Sequence, residues 1–576
     1  MRARIYNILQ IGDLYVWLLF AVFAFLITAP MLLSQNAFGS DAPVHIRWQI
    51  AFAREFWSGT VFPRWLPTMN RGFGSPAFFF YPPALQWLGA LFAPLMPGDA
   101  SAMRRLALGL AILFVLGAQG CRCWIRALGK SDAAAIFAAC VWLASPYLAF
   151  VDLYDRAAFA ESACFALLPW LGFSAVRVSQ GRRHAWGYHA LAIAALAYAH
   201  MPGMVIGYLF AATHGLALVL FETTPRRRLT VLAALGTSAL AGLALAGAML
   251  VPALGLLDHL VDLGAMVGER NQPRNWLLFS HIPWIDHSAW QMTTGTWALT
   301  LIMTAVLAPA ALSSPARRLR CVAWAMVAIV GAVAVLNCRI SLPIWQLQTP
   351  LSRIQFPFRL FGASSLAVSA IAGIYYDSRP ASGRVLRTAI PWLFLAGMLA
   401  IDVGAVSYQR LRSRTEHPPV LAEIAASTDD SSEYVLGNLS DATAVFGNSL
   451  LLVPDGKQNP DLTVNDLKIS NRSITLTYSV KSDTALALHQ FSFTGWECRI
   501  DAGAWTPAQI LQLGRSSFAA KVPVCRAPAG AHRMAARLPS PLPETIGFWL
   551  SLFGAALVLG SFCCPNPKST DVRTGC

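Results

Sequence analysis

The chain has 576 residues, of which 56% are hydrophobic and only 13% are charged. Soluble globular proteins carry about 25% charged residues, so the composition excludes an ordinary soluble enzyme. The formal net charge of +15 does not indicate a nucleic-acid partner, because the basic residues lie in short clusters between hydrophobic runs. The expected partner is the lipid bilayer.

Hydrophobic runs near the ~20 residues that cross a bilayer recur along the chain. The loops between them are richer in Arg and Lys on one side, which indicates the cytoplasmic side. The basic loops fall on the cytoplasmic side, as this rule requires, only if the short apolar stretch 83–96 lies in the membrane interface without crossing. We predict about twelve spans with both termini cytoplasmic, at roughly 14–34, 106–121, 132–150, 158–176, 185–199, 203–221, 229–253, 296–313, 321–337, 360–376, 388–407 and 544–562.

The region 408–543 differs from the rest in its residue pattern. Hydrophobic residues alternate with polar ones over 474–480 and again over 486–488 and 491–493, a period of two that indicates half-buried strands. Turn-forming sequences follow at 501–503 and 528–530. We predict a small domain resembling a β-sandwich over about 415–540.

Three regions follow from these patterns. A membrane domain covers 1–407 and includes a long first outer loop, 35–105; an extracytoplasmic β-rich domain covers 408–543; and a final span with a short tail covers 544–576. Cys498 and Cys525 both lie in the β-rich region, where a disulfide is plausible in an oxidising compartment and free thiols are the alternative.

Under this topology many ionisable residues lie at the outer membrane face, where they are costly unless paired and suggest a functional cavity. Asp41, shortly after the first span, is a candidate to accept a proton or to hold a divalent cation against a phosphate. A capping role for Asp41 at the start of a helix over 42–57 is the alternative, and both roles can coexist. His45 would share a helical face with Asp41.

Two further outer loops carry candidate residues. Glu161 lies just inside a predicted span and needs a partner, for which Arg156 is close enough along the chain. Arg156 and Arg359 suit a phosphate group, with lipid-headgroup contact as the alternative. His200 lies between two spans, a position more typical of a hydrogen bond at a helix end than of a catalytic histidine. Trp496 is more typical of core packing than of stacking against a sugar. The remaining candidates for substrate binding are Arg353, Asp155 and Tyr81.

Several of these motifs together resemble a group of bacterial membrane proteins. The group is named "6-pyruvoyl-tetrahydropterin synthase-related" and is akin to the YfhO-type membrane proteins. The matching segments contain Asp41 and His45, 63–65, 80–83, 154–161, 355–359, 495–501 and 528–532. The name does not describe the chemistry expected here, because a pterin synthase needs a histidine zinc site and the sequence offers no such cluster.

The resemblance implies the GT-C glycosyltransferase architecture, with an acidic residue in the first outer loop and a polyprenyl-phosphate sugar donor. Asp41 would be that acid. The clustering of ionisable residues adds Glu161, as a second acid or an orienting group, and His45 to the candidate catalytic residues. Asp41 stands alone where many such enzymes have paired acids, which leaves a requirement for Mg or Mn open. The expected function is sugar transfer to an envelope lipid or polymer at the periplasmic face of the bacterial inner membrane. A transporter or flippase and a non-catalytic envelope-assembly protein are the alternatives.

Overall fold

The computed structural model describes residues 13–260, 272–279, 287–347, 349, 351, 354–378, 384–415, 420–447, 449, 451–452, 461–515 and 518–563. Within these residues, ten helices are long and apolar enough to cross a membrane, as a polytopic protein requires. They are Leu14–Leu33, Asp99–Ala127, Asp132–Asp155, Phe159–Ser179, Met201–Phe221, Pro225–Leu245, Thr293–Leu312, Arg317–Leu336, Pro357–Asp377 and Leu542–Cys563.

The two other predicted spans also lie in helices, Ala185–Ala199 and Arg384–Thr415. The stretch predicted to stay in the interface contains only the short helix Ala84–Leu91, too short to cross a bilayer. The remaining helices of eight or more residues are Ala42–Trp57, Gly247–Gly255 and Leu439–Phe446.

The third candidate span is not one regular helix. An α-helix, Asp132–Leu143, is followed by Pro146 and then by a π-helix, Tyr147–Asp155. Proline has no backbone N–H and interrupts the regular hydrogen-bond ladder, and π-helical turns occur frequently at functional sites. The wide turn changes which side chains share a face at the C-terminal end of this span.

The β-rich region forms two antiparallel sheets that share one hydrophobic core, so the predicted sandwich is confirmed. The sheet orders are β1-β4-β8-β7 and β2-β3-β9-β5-β6. The strands are β1 Leu451–Leu452, β2 Thr463–Ser470, β3 Ser473–Val480, β4 Thr484–Leu488, β5 Glu497–Ile500, β6 Thr506–Pro507, β7 Gln509–Leu513, β8 Ala520–Ala527 and β9 Gly530–Arg537.

The alternation over 474–480 and 486–488 coincides with β3 and β4, and the turn at 528–530 joins β8 to β9. The expectation of a strand at 491–493 was wrong. Phe491 and Phe493 are buried in the loop after β4, where the Phe491 N–H donates to the Phe73 carbonyl oxygen at 2.6 Å. Their alternate burial arises from packing against the first outer loop instead of from sheet pleating.

The first outer loop and the sandwich form one core across the predicted domain boundary. Trp65, Phe73 and Phe78 of the loop belong to the same buried cluster as Leu476 of β3. The Trp65 indole N–H donates to Gln490 Oε1 at 2.7 Å, with both atoms buried. Burying large aromatic side chains stabilises such an interface by ~2 kcal/mol each, so the loop is firmly docked on the domain.

Three charged side chains also connect the first outer loop and the sandwich to the last span. Glu544, at the start of helix Leu542–Cys563, lies 2.9 Å from Arg64 Nε and accepts two hydrogen bonds from Arg472, at 2.7 and 2.9 Å. Arg64 belongs to the first outer loop, and Arg472 connects β2 to β3. The loop, the sandwich and the final helix therefore meet at one carboxylate.

The sheets are also joined covalently, because Cys498 of β5 and Cys525 of β8 form a disulfide with a sequence separation of 27. We expect the double variant Cys498→Ser/Cys525→Ser to lower stability by about 2–4 kcal/mol, since the cross-link restricts the unfolded chain. Thermal denaturation in detergent, followed by tryptophan fluorescence, measures this loss. Cys338→Ser, at a free and half-buried cysteine, is the control, and equal melting of both variants would contradict the prediction.

Candidate functional site

Next to the first outer loop, the ends of the membrane helices enclose a cluster of charged side chains centred on Glu161, which is fully buried. The Tyr147 hydroxyl donates a hydrogen bond to Glu161 Oε1 at 2.8 Å. Arg156 Nη1 lies 3.0 Å from Glu161 Oε2, and Arg359 Nε lies 2.9 Å from the same oxygen. The predicted pairing of Glu161 with Arg156 is therefore present, and Arg359 adds a second cation.

Asp152 completes this group, which we call the ionic cluster: Tyr147, Asp152, Arg156, Glu161 and Arg359. Asp152 Oδ1 accepts a hydrogen bond from Arg156 Nη1 at 3.0 Å, and Oδ2 accepts one from Ser162 at 2.9 Å. The cluster thus contains two carboxylates and two guanidinium groups. Pairing of this kind makes buried charges tolerable, because an unpaired charge there would cost several kcal/mol.

Sequence reasoning missed Asp152. It lies beyond the end predicted for the third span, in the π-helix, where the structure places it four residues before Arg156. The available signal was this i, i+4 spacing of an acid and an arginine, next to a hydrophobic run that tolerates no unpaired carboxylate.

Close helix packing brings Arg359 to Glu161. At Gly362, one turn after Arg359, an added Cβ would lie 2.4 Å from the Phe165 ring. Only glycine allows helix Pro357–Asp377 to approach helix Phe159–Ser179 this closely. The arginine at the beginning of one helix therefore reaches the carboxylate in the first turn of the other.

Backbone strain flanks both arginines. Ala157, next to Arg156, has φ +58°, and Gln355, four residues before Arg359, has φ +67°. Residues other than glycine rarely adopt this left-handed conformation, and such strain clusters at functional sites.

Aromatic rings cover the two guanidinium groups. The Arg359 guanidinium carbon lies 4.8 Å from the centroid of the Phe356 ring, and that of Arg156 lies 5.1 Å from the Phe358 ring. Arg156 Nη1 donates to Asp152 and to Glu161, and Arg359 Nη1 donates to the Ile354 carbonyl oxygen and to Gln355 Oε1. Arg359 Nε lies 2.9 Å from Glu161 Oε2 in an ion pair but makes no hydrogen bond of good geometry.

Asp41 is adjacent to the cluster and half-exposed. Its backbone N–H donates to the Arg156 carbonyl oxygen at 2.9 Å, and the Ser40 hydroxyl donates to Asp41 Oδ1 at 2.9 Å. Gly39 lies so close to Ala157 that an added Cβ would be 2.7 Å from the alanine Cβ. The first outer loop is thereby pressed onto the chain that carries Arg156.

The capping alternative for Asp41 is not supported. Asp41 immediately precedes helix Ala42–Trp57, but its carboxylate makes no capping hydrogen bond. His45 follows one turn later, as predicted, and its backbone N–H donates to the Asp41 carbonyl oxygen. Burial lowers the pKa of His45 to about 4, with Asp41 opposing this shift and Arg156 adding to it, so the imidazole is neutral near pH 7.

Tyr81 and His200 complete the wall of the site. The Tyr81 ring centroid lies 5.8 Å from His45 and 6.4 Å from His200. Burial raises the pKa of Tyr81, and nearby Asp41 raises it further, so its hydroxyl stays protonated. His200 Nδ1 accepts a hydrogen bond from the Gly203 N–H at 3.1 Å, which is the helix-end role that the sequence favoured.

The remaining predicted residues are Asp155, Arg353 and Trp496. Asp155 is half-buried at the end of the π-helix, and Arg353 lies outside the described residues. Trp496 is buried and donates to the Phe491 carbonyl oxygen at 3.1 Å, as core packing requires. The described residues contain no group of three or more His, Cys, Asp or Glu side chains that could hold a metal ion.

Fold and site together define a polytopic helical membrane protein with a C-terminal antiparallel β domain and a buried ionic cluster. A family model described as "6-pyruvoyl-tetrahydropterin synthase related domain; membrane protein" matches residues 78–396. The chain belongs to this family. The match includes Tyr81 and the whole ionic cluster, and no curated protein matches the chain.

Three solved membrane glycosyltransferases are similar in structure. The arabinofuranosyltransferase AftD from Mycobacteria has 14% identity over 92% of this chain and 40% of its own, with TM-score 0.46. ArnT from Cupriavidus metallidurans, bound to undecaprenyl phosphate, has 13% identity over 71% and 74%, with TM-score 0.41. The Archaeoglobus fulgidus oligosaccharyltransferase has 14% identity over 75% and 57%, with TM-score 0.32. The chain spans 27% to 40% of the length of the AftD chains that it matches.

Replacing the central carboxylate tests the energetics of the cluster. We expect Glu161→Gln to destabilise the protein by about 3–5 kcal/mol, since it leaves Arg156 and Arg359 short of a buried countercharge. The measurement is the temperature at which half of the detergent-solubilised protein remains folded. Glu222→Gln is the control, because Glu222 lies 3.8 Å from the more exposed Arg227 and such a pair contributes ~1 kcal/mol or less. Equal losses in both variants would contradict this account.

Proposed function

We propose that this protein is a membrane glycosyltransferase that moves a sugar from a polyprenyl-phosphate-linked donor to a hydroxyl group of an envelope lipid or polymer. One observation carries the proposal. A half-exposed carboxylate, Asp41, is tied through its backbone to Arg156, which belongs to a buried cluster containing a second arginine. A proton acceptor and two phosphate-binding groups are therefore neighbours.

The carrier phosphate would bind to Arg156 and Arg359, whose guanidinium groups suit phosphate oxygens. Because Asp152 and Glu161 already neutralise both arginines, the attraction comes from directed N–H groups and not from a net positive charge. The rings of Phe356 and Phe358 cover the guanidinium groups, which excludes water and strengthens these hydrogen bonds.

The reaction is a displacement at the anomeric carbon of the donor sugar. The acceptor oxygen attacks that carbon, the bond from the carbon to the phosphate oxygen breaks, and its electron pair leaves with the phosphate. The acceptor proton passes to Asp41, acting as general base. A divalent ion such as Mg or Mn, bound by Asp41 and the phosphate, would supply additional charge stabilisation.

Other residues assist this step. Glu161 acts as an orienting group, because both of its oxygens are already occupied by Tyr147 and the two arginines. The neutral Tyr81 hydroxyl and the neutral His45 ring are hydrogen-bonding groups for the sugar or the phosphate. His200 lies next to Tyr81, and Asp155 and Arg353 remain predicted substrate or phosphate contacts.

Asp41→Asn tests the proposed base. We expect the variant to insert and fold normally but to lose product formation by at least ~100-fold, the usual contribution of general-base catalysis. The measurement compares membrane glycolipids and envelope polymers in a deletion strain carrying either the parent or the variant protein. Asp99→Asn, in the same outer loop and paired with exposed Arg54, is the matched control. Full product with Asp41→Asn would remove Asp41 from the mechanism.

The proposed location is the bacterial inner membrane, with both termini cytoplasmic and the β domain periplasmic. It follows from the bias of basic residues between the two sides. Ser58 and Arg182, both exposed, lie in loops assigned to opposite sides. In intact cells, Ser58→Cys should react with a maleimide that cannot cross the inner membrane, whereas Arg182→Cys should react only after permeabilisation. The reverse labelling would place the site on the cytoplasmic face.

A further inference from the structure

Trp48 lies about two turns after Asp41 in helix Ala42–Trp57 and is buried. Its ring centroid lies 4.6 Å from that of Tyr81 and 5.7 Å from that of His45. Tyr81 and His45 are the two rings that line the site next to Asp41. The charges of Arg156, Glu161 and Arg359 in the ionic cluster act on the pKa of Tyr81. Trp48 therefore packs directly against both of these side chains.

A carboxylate of the C-terminal region anchors Trp48. The indole N–H of Trp48 donates to Asp430 Oδ1 at 2.7 Å, and the Ser431 N–H donates to the same oxygen at 2.7 Å. Asp430 is half-buried, and its second carboxylate oxygen is enclosed. Burial raises the pKa of Asp430 to about 6, so the group is ionised near pH 7 and its hydrogen bonds are charge-assisted.

The chain around Asp430 contacts the first outer loop on both sides of Asp41. Before Asp41, the Leu421 N–H donates to the Gln35 carbonyl oxygen at 2.9 Å. After it, the Asn70 N–H donates to the Thr428 carbonyl oxygen at 2.7 Å. Residues 420–430 thus form a strap across the loop, and the bond from Trp48 to Asp430 joins this strap to the helix that follows Asp41.

We propose that Asp430 is a positioning residue: by binding Trp48 it fixes the rings of Tyr81 and His45, and with them the loop of Asp41, against the ionic cluster. The effect on sugar transfer rests on the proposed function, whereas the effect on the loop does not. Asp430 touches no reacting atom. Its contribution is to hold the general base in a geometry that a shift of ~1 Å would spoil.

Four variants separate this role from a general loss of stability. Asp430→Ala and Trp48→Phe each remove one partner of the hydrogen bond, and Trp48→Phe keeps an aromatic ring. Asp430→Asn keeps an acceptor oxygen and should restore the parent behaviour. Asp429→Ala is the matched control, because the neighbouring Asp429 is exposed and its carboxylate lies 3.3 Å from exposed Arg71.

The first readout is the geometry of the loop. Ser40→Cys, next to Asp41 and exposed, is placed in each variant, and its rate of reaction with an impermeant maleimide is quantified by mass spectrometry. We expect at least a threefold faster reaction with Asp430→Ala and with Trp48→Phe, and the parent rate with Asp430→Asn and Asp429→Ala. The double variant Asp430→Ala/Trp48→Phe should react no faster than the faster of these two single variants, because the two residues share one interaction.

The second readout separates binding from turnover. Product in the complemented deletion strain should fall at least tenfold with Asp430→Ala and Trp48→Phe. Binding of undecaprenyl phosphate by the purified protein should stay within twofold of the parent, because the arginines are untouched. A merely structural role would lower both together and would not be rescued by Asp430→Asn.

The outcomes distinguish this proposal from the proposed function. Unchanged maleimide rates and unchanged product in Asp430→Ala, with Asp41→Asn inactive, would overturn the positioning role alone. Faster labelling of Ser40→Cys in Asp430→Ala, with Asp41→Asn fully active, would support the positioning of the loop while removing the proposed base. Equal effects of Asp429→Ala and Asp430→Ala would also overturn the proposal, since the bond to Trp48 would not be the cause.

Discussion

The membrane part of the structure is organised around one buried carboxylate, Glu161, and the two arginines that it pairs. Arg156 comes from the loop just before Glu161, whereas Arg359 arrives from almost two hundred residues later in the chain. A charge at this depth is tolerable only with such partners. The pairing therefore constrains the loops that carry the arginines. In these loops Ala157 and Gln355 adopt a left-handed backbone conformation, which is unfavourable for residues other than glycine.

The first outer loop is the second element that depends on this constraint. It is attached to the membrane helices through the contact of Asp41 with the Arg156 backbone, and to the sandwich through the buried aromatic residues around Trp65. Glu544 binds arginines from both the loop and the sandwich. The β domain is thus part of the support of the site and not an independent module on a tether. This explains why strand-like alternation at Phe491 and Phe493 reflects packing against the loop.

Sequence reasoning succeeded where a local physical rule was sufficient. Hydrophobic runs of bilayer length located the helices, and alternation located β3 and β4, because both patterns repeat within one element. The partnership of Glu161 with Arg156 was also foreseeable, since a carboxylate beside a span needs a nearby cation. Asp152 was missed because it lies in a π-helix beyond the end predicted for the third span, although its spacing of four residues from Arg156 was a usable local signal.

Contacts between distant parts of the chain could not be predicted in the same way. The meeting of Arg359 with Glu161 depends on the close approach at Gly362, and the bond from Trp48 to Asp430 joins residues 382 positions apart. No periodicity encodes either contact. The roles predicted for Asp41, His45 and Tyr81 at the reaction centre likewise remain predictions, although the structure places these residues together.

The charge balance of the cluster has a consequence for the proposed reaction. The donor phosphodiester carries one negative charge, and the carrier phosphate gains a second when the sugar departs. The neutral ionic cluster has no surplus positive charge to offset that gain, and in a low-dielectric site an added charge is expensive. Proton transfer from the acceptor to Asp41 removes one negative charge as the phosphate acquires one. The total charge beside the arginines would thus stay constant through the proposed step, which requires that Asp41 be close to the phosphate and held in place. The backbone bond from Asp41 to Arg156 holds this residue beside the arginine that is proposed to bind the phosphate.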